Sequence, residues 1–375
     1  MRILHVTNDM EVGGVQVYLS HLLPALRSRG HEVSLVVLTG HGQLLEALEA
    51  ASIPWHYIPS IIRRGAMKFP RKASVKELQD FMQYEFMPDI VHSHLLIGNT
   101  VGRLAAIRLP RRPGVIATEH STYYHKPGWA QYVDRRLARR TDAIMAVSNA
   151  VRDFTISQER LSAEKLVTIR LGLIPQKVTA GPDDALYEEL RRRPTVAIVG
   201  RLTDEKGHRL FLKTLAAVLA EDPEVLGLVI GDGPLRAELE ELAQQLWLGP
   251  DNVKFLGMRR DIAALTKRFD VFLLPSRREG FGMAPLEAMA GGATVVLSRI
   301  PAFEELTEHG RMGKLVALDG RISVWKQAVL EALDSPLDRN SLRQFVSEHY
   351  AFDRHVDRLL DLYQRILGDK GVELA

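Results

Sequence analysis

The sequence predicts an α/β protein built from two Rossmann-like domains, each a doubly wound parallel sheet, facing a cleft. Three observations predict it. Short runs of Val, Ile, Leu and Ala alternate with longer amphipathic stretches almost from end to end, as strands covered on both faces alternate with their crossover helices. The 375 residues exceed what a single hydrophobic core usually serves. The alternation also breaks once near the middle of the chain and then restarts.

In the first half, strands are expected at Ile3–Thr7, Val33–Leu38, Trp55–Ile58, Ile90–His92, Val115–Thr118 and Ala143–Val147. Helical patterns fill the gaps at Val15–Ser28, Leu44–Ala51, Val75–Phe86, Thr100–Arg108 and Ala130–Arg139. The break runs from Leu171 to Pro194, with Pro175, the Ala180–Asp184 turn sequence and the basic Arg191–Arg193, and reads as a linker carrying at most one helix. Strands are then expected at Thr195–Val199, Gly227–Ile230, Val253–Leu256, Val271–Leu274 and Thr294–Leu297. Their helices are His208–Glu221, Leu235–Leu246, Ile262–Arg268 and Pro285–Ala290, and two more, Ser323–Leu333 and Arg354–Leu367, close the chain. The expected domains are 1–172, a linker at 173–194, and 195–350, with a helix in 351–375 packing back on the first domain.

Composition narrows the function classes. The chain is 46% hydrophobic and 25% charged with a net charge of +3, which suits a globular protein and gives no argument for nucleic acid. No apolar run approaches a membrane span, and Arg2–Thr7 is too short for a secretory h-region. With no cysteine, thiol catalysis, disulfides and cysteine-ligated zinc are excluded, and a cytoplasmic location is expected. One segment, Arg63–Lys76, holds six cations interleaved with Ile61, Ile62, Met67 and Phe69. A solvated loop is the plainer expectation. The sharper one is peripheral contact with anionic lipid headgroups on the cytoplasmic face of a membrane, or with an anionic acceptor.

Ligands of open parallel sheets bind beyond the carboxyl ends of the strands, so the residues following each strand are the candidates. Gly13-Gly14 opens a helix after the first strand, where amides approach an anion without a Cβ in the way. Glu119-His120 follows the Val115–Thr118 strand. Arg201 and Lys206 flank another strand-to-helix turn and suit a diphosphate, Arg by planar hydrogen bonding and Lys as a point charge. Gly231-Asp232-Gly233 begins like a dinucleotide fingerprint, but Arg236 stands where its third glycine belongs, which disfavours a nicotinamide enzyme. The most informative stretch is Glu279–Glu287: two glycines in a loop after a buried strand, a carboxylate at each end, and free amides at Phe281, Gly282 and Met283. Two carboxylates suit vicinal hydroxyls, as on a sugar and a ribose. Pro285 is expected near the first helical position and Glu287 in the helix's first turn. Metal chemistry is thin: D-x-D and H-E-x-x-H are absent, and His92 and His94 show no third ligand, so they read as hydrogen-bonded structural histidines. G-x-S-x-G is also absent, which argues against serine hydrolysis.

Taken together these residues resemble a retaining glycosyltransferase of the GT-B fold, family 4. The resemblance spans nearly the whole chain. It rests on Gly13–Gln16, Asp89–His94, Glu119-His120, Asp142–Ser148, Gly200-Arg201 with Lys206-Gly207, Gly231–Gly233, Phe255–Gly257 and the E-x7-E element. The chain departs from it at Leu171–Ile174, where the family has Asn-Gly-Ile/Val-Asp, and at Ser298–Glu304, where a Gly-rich loop is common. The resemblance implies that Arg201, Lys206 and the Gly14 amides neutralise the donor diphosphate and that Glu287 holds the ribose. It implies too that Glu279 with Phe281–Met283 holds the transferred sugar and that the base lies near Gly233 and Met258. His120 would lie near the sugar and acceptor. It favours a UDP-sugar over a GDP-sugar, no cofactor or metal, and an acceptor hydroxyl on a lipid-linked, saccharide or small aglycone molecule. The competing expectations are another GT-B activity, such as a nucleotide-sugar 2-epimerase or a phosphorylase, and a catalytically silent nucleotide-sugar-binding subunit.

Overall fold

The computed structural model describes residues 1–64, 67–122, 126–175 and 184–371, with the backbone alone at 61–64, 67–70 and 184. The chain forms two compact units: Met1–Ile174 with Phe352–Ala375, and Pro175–Ala351.

Unit 1 is built on a seven-stranded parallel sheet with strands β1 (Arg2–Thr7), β2 (Glu32–Val37), β3 (Trp55–Tyr57), β6 (Ile90–His94), β7 (Gly114–Glu119), β8 (Ala143–Ala146) and β9 (Leu166–Thr168). Their order in space is β3-β2-β1-β6-β7-β8-β9. The order reverses between β1 and β6, which makes this a doubly wound sheet. Leu4, Val6, Val36, Val91 and Val115 are fully buried, so the apolar runs are core strands covered on both faces. A long amphipathic helix, Phe352–Gly368, completes unit 1 by burying Val356, Leu359, Leu362, Tyr363 and Ile366. Gly114 lets it approach: a Cβ there would stand 2.9 Å from Ile366 Cγ2.

Between β3 and β6 the basic segment does not run as a solvated loop. Strands β4 (Ile61–Arg64) and β5 (Met67–Pro70) pair antiparallel as a hairpin, with Arg63 opposite Lys68, and a helix begins at Lys72. Arg63, Arg64 and Lys68, which looked like loop composition, stand on the paired strands of a two-stranded ribbon.

Unit 2 holds a six-stranded parallel sheet, β12-β11-β10-β13-β14-β15. Its strands are β10 (Thr195–Val199), β11 (Leu226–Ile230), β12 (Val253–Gly257), β13 (Val271–Leu274), β14 (Thr294–Ser298) and β15 (Lys314–Val316). Helices His208–Leu219 and Ile322–Asp334 pack on each other beside it, and Trp325 is fully buried there. The strands β9 and β15 and the helices Asn149–Ser157 and Arg339–His349 were not anticipated. Among the described residues, no helix is long and apolar enough to cross a membrane.

Candidate active site

In unit 2, every sequence-predicted donor residue lies beyond the carboxyl ends of four neighbouring parallel strands. Arg201 follows β10, Gly233 follows β11, Met258 follows β12, and Glu279 to Glu287 follow β13. The rim is compact because glycines let loops touch. A Cβ on Gly231 would sit 2.1 Å from the Gly200 carbonyl oxygen, and one on Gly233 would meet the Leu202 backbone. Leu202 N–H also donates to the Asp232 carbonyl at 3.0 Å. Gly207 adopts φ +78 against Pro275 and turns the chain from Lys206 into the helix starting at His208.

This geometry brings two of the predicted residues into contact. Lys206 Nζ lies 2.6 Å from Glu279 Oε1, and Ser276 Oγ donates to the same oxygen at 3.1 Å. Glu279 is largely shielded and Lys206 about a quarter exposed, so the pair is directional yet reachable. Arg201 is exposed and Met258 is 63% exposed. Ser276 carried no signal beyond its position after the strand.

The helix after the loop is Met283–Gly291, capped by Gly282 at φ +103. Two expectations change. Pro285 is its third residue, and Glu287 is its fifth, beyond the first turn, where the first turn holds no acidic residue. The macrodipole therefore does not account for a carboxylate at 287, because that effect fades within one turn. Phe281 is 5% exposed and packs edge-on to Tyr350, which fixes the loop from beneath.

In unit 1, Gly13 caps the helix Gly14–Ser28. Gly13 has extended backbone that any residue adopts, and nothing lies within 4 Å of where a Cβ on Gly14 would stand. Neither turn geometry nor packing in this unit calls for glycine at 14, whereas an anion resting on the amides at this helix start would.

His120 stands beyond β7, partly exposed, with Nε2 3.1 Å from His94 Nδ1. His94 Nε2 lies 2.9 Å from His5 Nδ1. His92 is bonded at both nitrogens, to Tyr363 at 2.6 Å and to Thr118 at 2.5 Å. His5 is the third member that His92 and His94 lacked in the sequence, and the three lie close enough to share an ion. Both nitrogens of His92 and of His94 are committed to hydrogen bonds, which join the cluster into a network. Burial lowers the pKa of His5 and of His120 to about 3 and holds His92 and His94 well below the usual value. The rings are neutral.

Behind this rim lies a buried ionic cluster that sequence reasoning missed. Lys126 bonds Glu159 at 2.9 Å, reaches Glu119 at 3.5 Å and pairs with Asp134, which also binds Arg103. All five side chains are at most 4% exposed. Burial pushes the Glu119 carboxyl up to about 7 although Lys126 pulls it down. Burial opposes the charge on Lys126, but the three carboxylates outweigh it and its pKa is raised. The lysine anchors the start of helix Gly128–Ala138, just past His120.

Two doubly wound units, one with a cation-and-carboxylate rim and one with a helix amide cradle beside a histidine, define a glycosyltransferase of the GT-B type that uses a nucleotide-sugar donor. The model of Glycosyltransferase Family 4 matches residues 12–177 and that of Glycosyl transferases group 1 matches residues 193–335. The chain belongs to glycosyltransferase family 4. It is 28% identical to the putative glycosyltransferase EpsF of Bacillus subtilis over 96% of each chain. It is 30% identical to the lipopolysaccharide core biosynthesis mannosyltransferase LpcC of Rhizobium leguminosarum over 62% of this chain and 67% of that one. In fold it is similar to Anabaena Alr3699/HepE in complex with UDP, at TM-score 0.81 and 20% identity over 97% of this chain and 100% of that one.

Proposed function

We propose that the protein transfers a hexosyl group from a UDP-sugar to an acceptor hydroxyl with retention at the anomeric carbon and without a metal. The observation that carries this is the Lys206–Glu279 pair with its Ser276 support. It joins the residue assigned to the leaving diphosphate to the residue assigned to the departing sugar. Departure of the nucleoside diphosphate is the hard step. In this reading Arg201 and Lys206 stabilise the charge that grows on its oxygens, which is the work a divalent cation would otherwise do. Glu279 accepts hydrogen bonds from sugar hydroxyls, Glu287 from the ribose, and the Phe281–Met283 amides complete the cradle. The base is read near Gly233 and Met258.

Glu279 Oε1 is already held by an ammonium and a hydroxyl, which makes it a poor nucleophile. This supports front-face attack by the acceptor oxygen, whose proton passes to a phosphate oxygen of the leaving group. UDP is favoured because Anabaena Alr3699/HepE is described with UDP and with UDP-glucose. An Escherichia coli relative 24% identical over 99% of this chain is named a UDP-Gal:alpha-D-GlcNAc-diphosphoundecaprenol galactosyltransferase. That name also supports a lipid-linked acceptor, and the basic β4–β5 hairpin is read as the element that contacts an anionic membrane surface on the cytoplasmic side.

A thermal-shift screen of UDP, GDP and ADP tests the donor assignment. At a hundredfold excess over Kd the preferred nucleotide stabilises by about 2.7 kcal/mol. Stabilisation by GDP alone rejects the UDP assignment, and donor epimerisation without acceptor rejects transfer. Unchanged turnover in the presence of EDTA is the expected result for metal independence, and loss restored by Mg²⁺ or Mn²⁺ overturns it.

A further inference from the structure

Three histidines run in single file from the core of unit 1 to the rim. His5 on β1, His94 at the end of β6 and His120 after β7 are joined Nδ1 to Nε2 at 2.9 Å and Nδ1 to Nε2 at 3.1 Å. His5 and His94 are fully buried. Among the described residues, no carboxylate is hydrogen-bonded to any of the three, so nothing favours a second proton on a ring, and burial keeps all three neutral.

A neutral imidazole has one N–H and one lone pair. His94 uses both nitrogens, so it donates in one bond and accepts in the other, and the file has a single direction. Running outward, His5 Nδ1–H donates to His94 Nε2, His94 Nδ1–H donates to His120 Nε2, and His120 keeps its proton on Nδ1. Running inward, every proton moves to the other nitrogen. The inner end separates the two. His5 Nε2 is buried with no partner. Outward polarity leaves a lone pair there, whereas inward polarity leaves an orphaned buried N–H, the rarer defect in folded proteins.

Among the described residues, the surroundings leave the outer end open. His355 Nδ1–H donates to the Arg170 carbonyl at 2.8 Å, so its Nε2 accepts from the Tyr18 hydroxyl at 2.8 Å. Tyr18 meets His94 and His120 edge-on, so it walls the file while its hydroxyl is committed to His355. His120 Nδ1 makes no hydrogen bond to the described residues.

We propose that His5 and His94 are positioning residues that hold His120 as the neutral tautomer protonated on Nδ1, so that this N–H is presented at the rim of unit 1 to a hydroxyl oxygen of the substrate. The assignment rests on the reading of His120 as a residue of the transfer site.

The test uses the full-length protein labelled with ¹⁵N-histidine, 13 residues in all, with the His120 signals identified by their loss in His120→Asn. The wild type is expected to show a protonated Nδ1 and a bare Nε2 at His120. His5→Leu removes the inner donor; it is expected to shift His120 toward the other tautomer and to lower kcat/KM by about five- to tenfold, the worth of one neutral hydrogen bond. His5→Asn, which places an amide donor near the Nδ1 position, is expected to restore both. A protonated Nε2 at His120 in the wild type overturns the proposal whatever the variants do. So does His5→Leu with unchanged signals and unchanged kcat/KM. His120→Ala separates the two layers: normal turnover there removes His120 from the transfer site, whereas loss of turnover beside an indifferent His5→Leu removes only the positioning file.

Discussion

Acidification should unfold unit 1 well before unit 2. Four histidines of unit 1, His5, His92, His94 and His355, are at most 2% exposed, and burial depresses their pKa values, to about 3 for His5 and about 4 for His355. A depressed value means that the fold resists protonation, so this stability is complete above the unfolded value of about 6.5 and is lost as pH falls toward the folded one. At about pH 5 each such ring has forfeited about 2 kcal/mol relative to about pH 7.5, roughly 8 kcal/mol for the four. His120, which keeps some solvent contact, adds a smaller share. Glu119 works the other way. Burial raises it to about 7, so its contribution is present at low pH and lost as pH rises through 7, which returns about 2 kcal/mol on acidification. Glu159, also raised by burial, acts in the same sense. The net loss of about 6 kcal/mol rivals the whole stability of an ordinary domain, about 5–15 kcal/mol. Unit 2 holds one comparable ring, His208, lowered by burial to about 4, and should lose about 2 kcal/mol. Urea titrations at the two pH values, localised by hydrogen exchange of peptides from each unit, measure this directly. A change within about 1 kcal/mol in unit 1, or a larger loss in unit 2, refutes the reasoning.

Three further outcomes follow from the same geometry. Glu279→Ala and Lys206→Met should each lower kcat by about a hundred- to a thousandfold at unchanged thermal stability, because rim loops add little to the core; steady-state transfer assays with matched melting curves check this. Lys126→Met should destabilise unit 1 by about 3–5 kcal/mol, since it leaves Glu119, Asp134 and Glu159 with Arg103 as the one cation of the cluster; chemical denaturation reads the loss, and a neutral result would mean that the carboxylates take up protons instead. Gly14→Val should fold normally, given the open space at its Cβ, yet weaken binding of a phosphate-bearing ligand at the helix amides by about tenfold or more; calorimetry with UDP decides it.

The sheet architecture was legible because buried parallel strands write themselves as runs of Val, Ile and Leu, as in Thr195–Val199 and Thr294–Ser298. The three-residue strands β9 and β15 were not, since three residues show no period. The Arg63–Lys76 segment misled for a different reason: its charge drew attention away from two short strands that pair as a hairpin. At the donor rim, glycines and charges after successive strands pointed to Arg201, Lys206 and Glu279. The contact between Lys206 and Glu279 is a tertiary fact, set by Gly207 and Ser276. The histidine file and the Lys126 cluster stayed hidden because their members are 7 to 89 residues apart, and a lone histidine in a strand such as β1 looks like any core residue.

The return of Phe352–Gly368 to unit 1 has a consequence for how the protein is made. Residues 175–351 are contiguous and hold a complete sheet, so they can fold as soon as they leave the ribosome. Residues 1–174 emerge earlier but wait. Until the last helix arrives, the apolar surface that receives Leu359 and Ile366 stays uncovered, and Tyr18 and His92 lack the partners that His355 and Tyr363 bring. The first unit to be translated is therefore the last to be finished. The hydroxyl of Tyr18, which walls the histidine file, finds its partner only when His355 has been made, so completion of unit 1 is coupled to translation of unit 2.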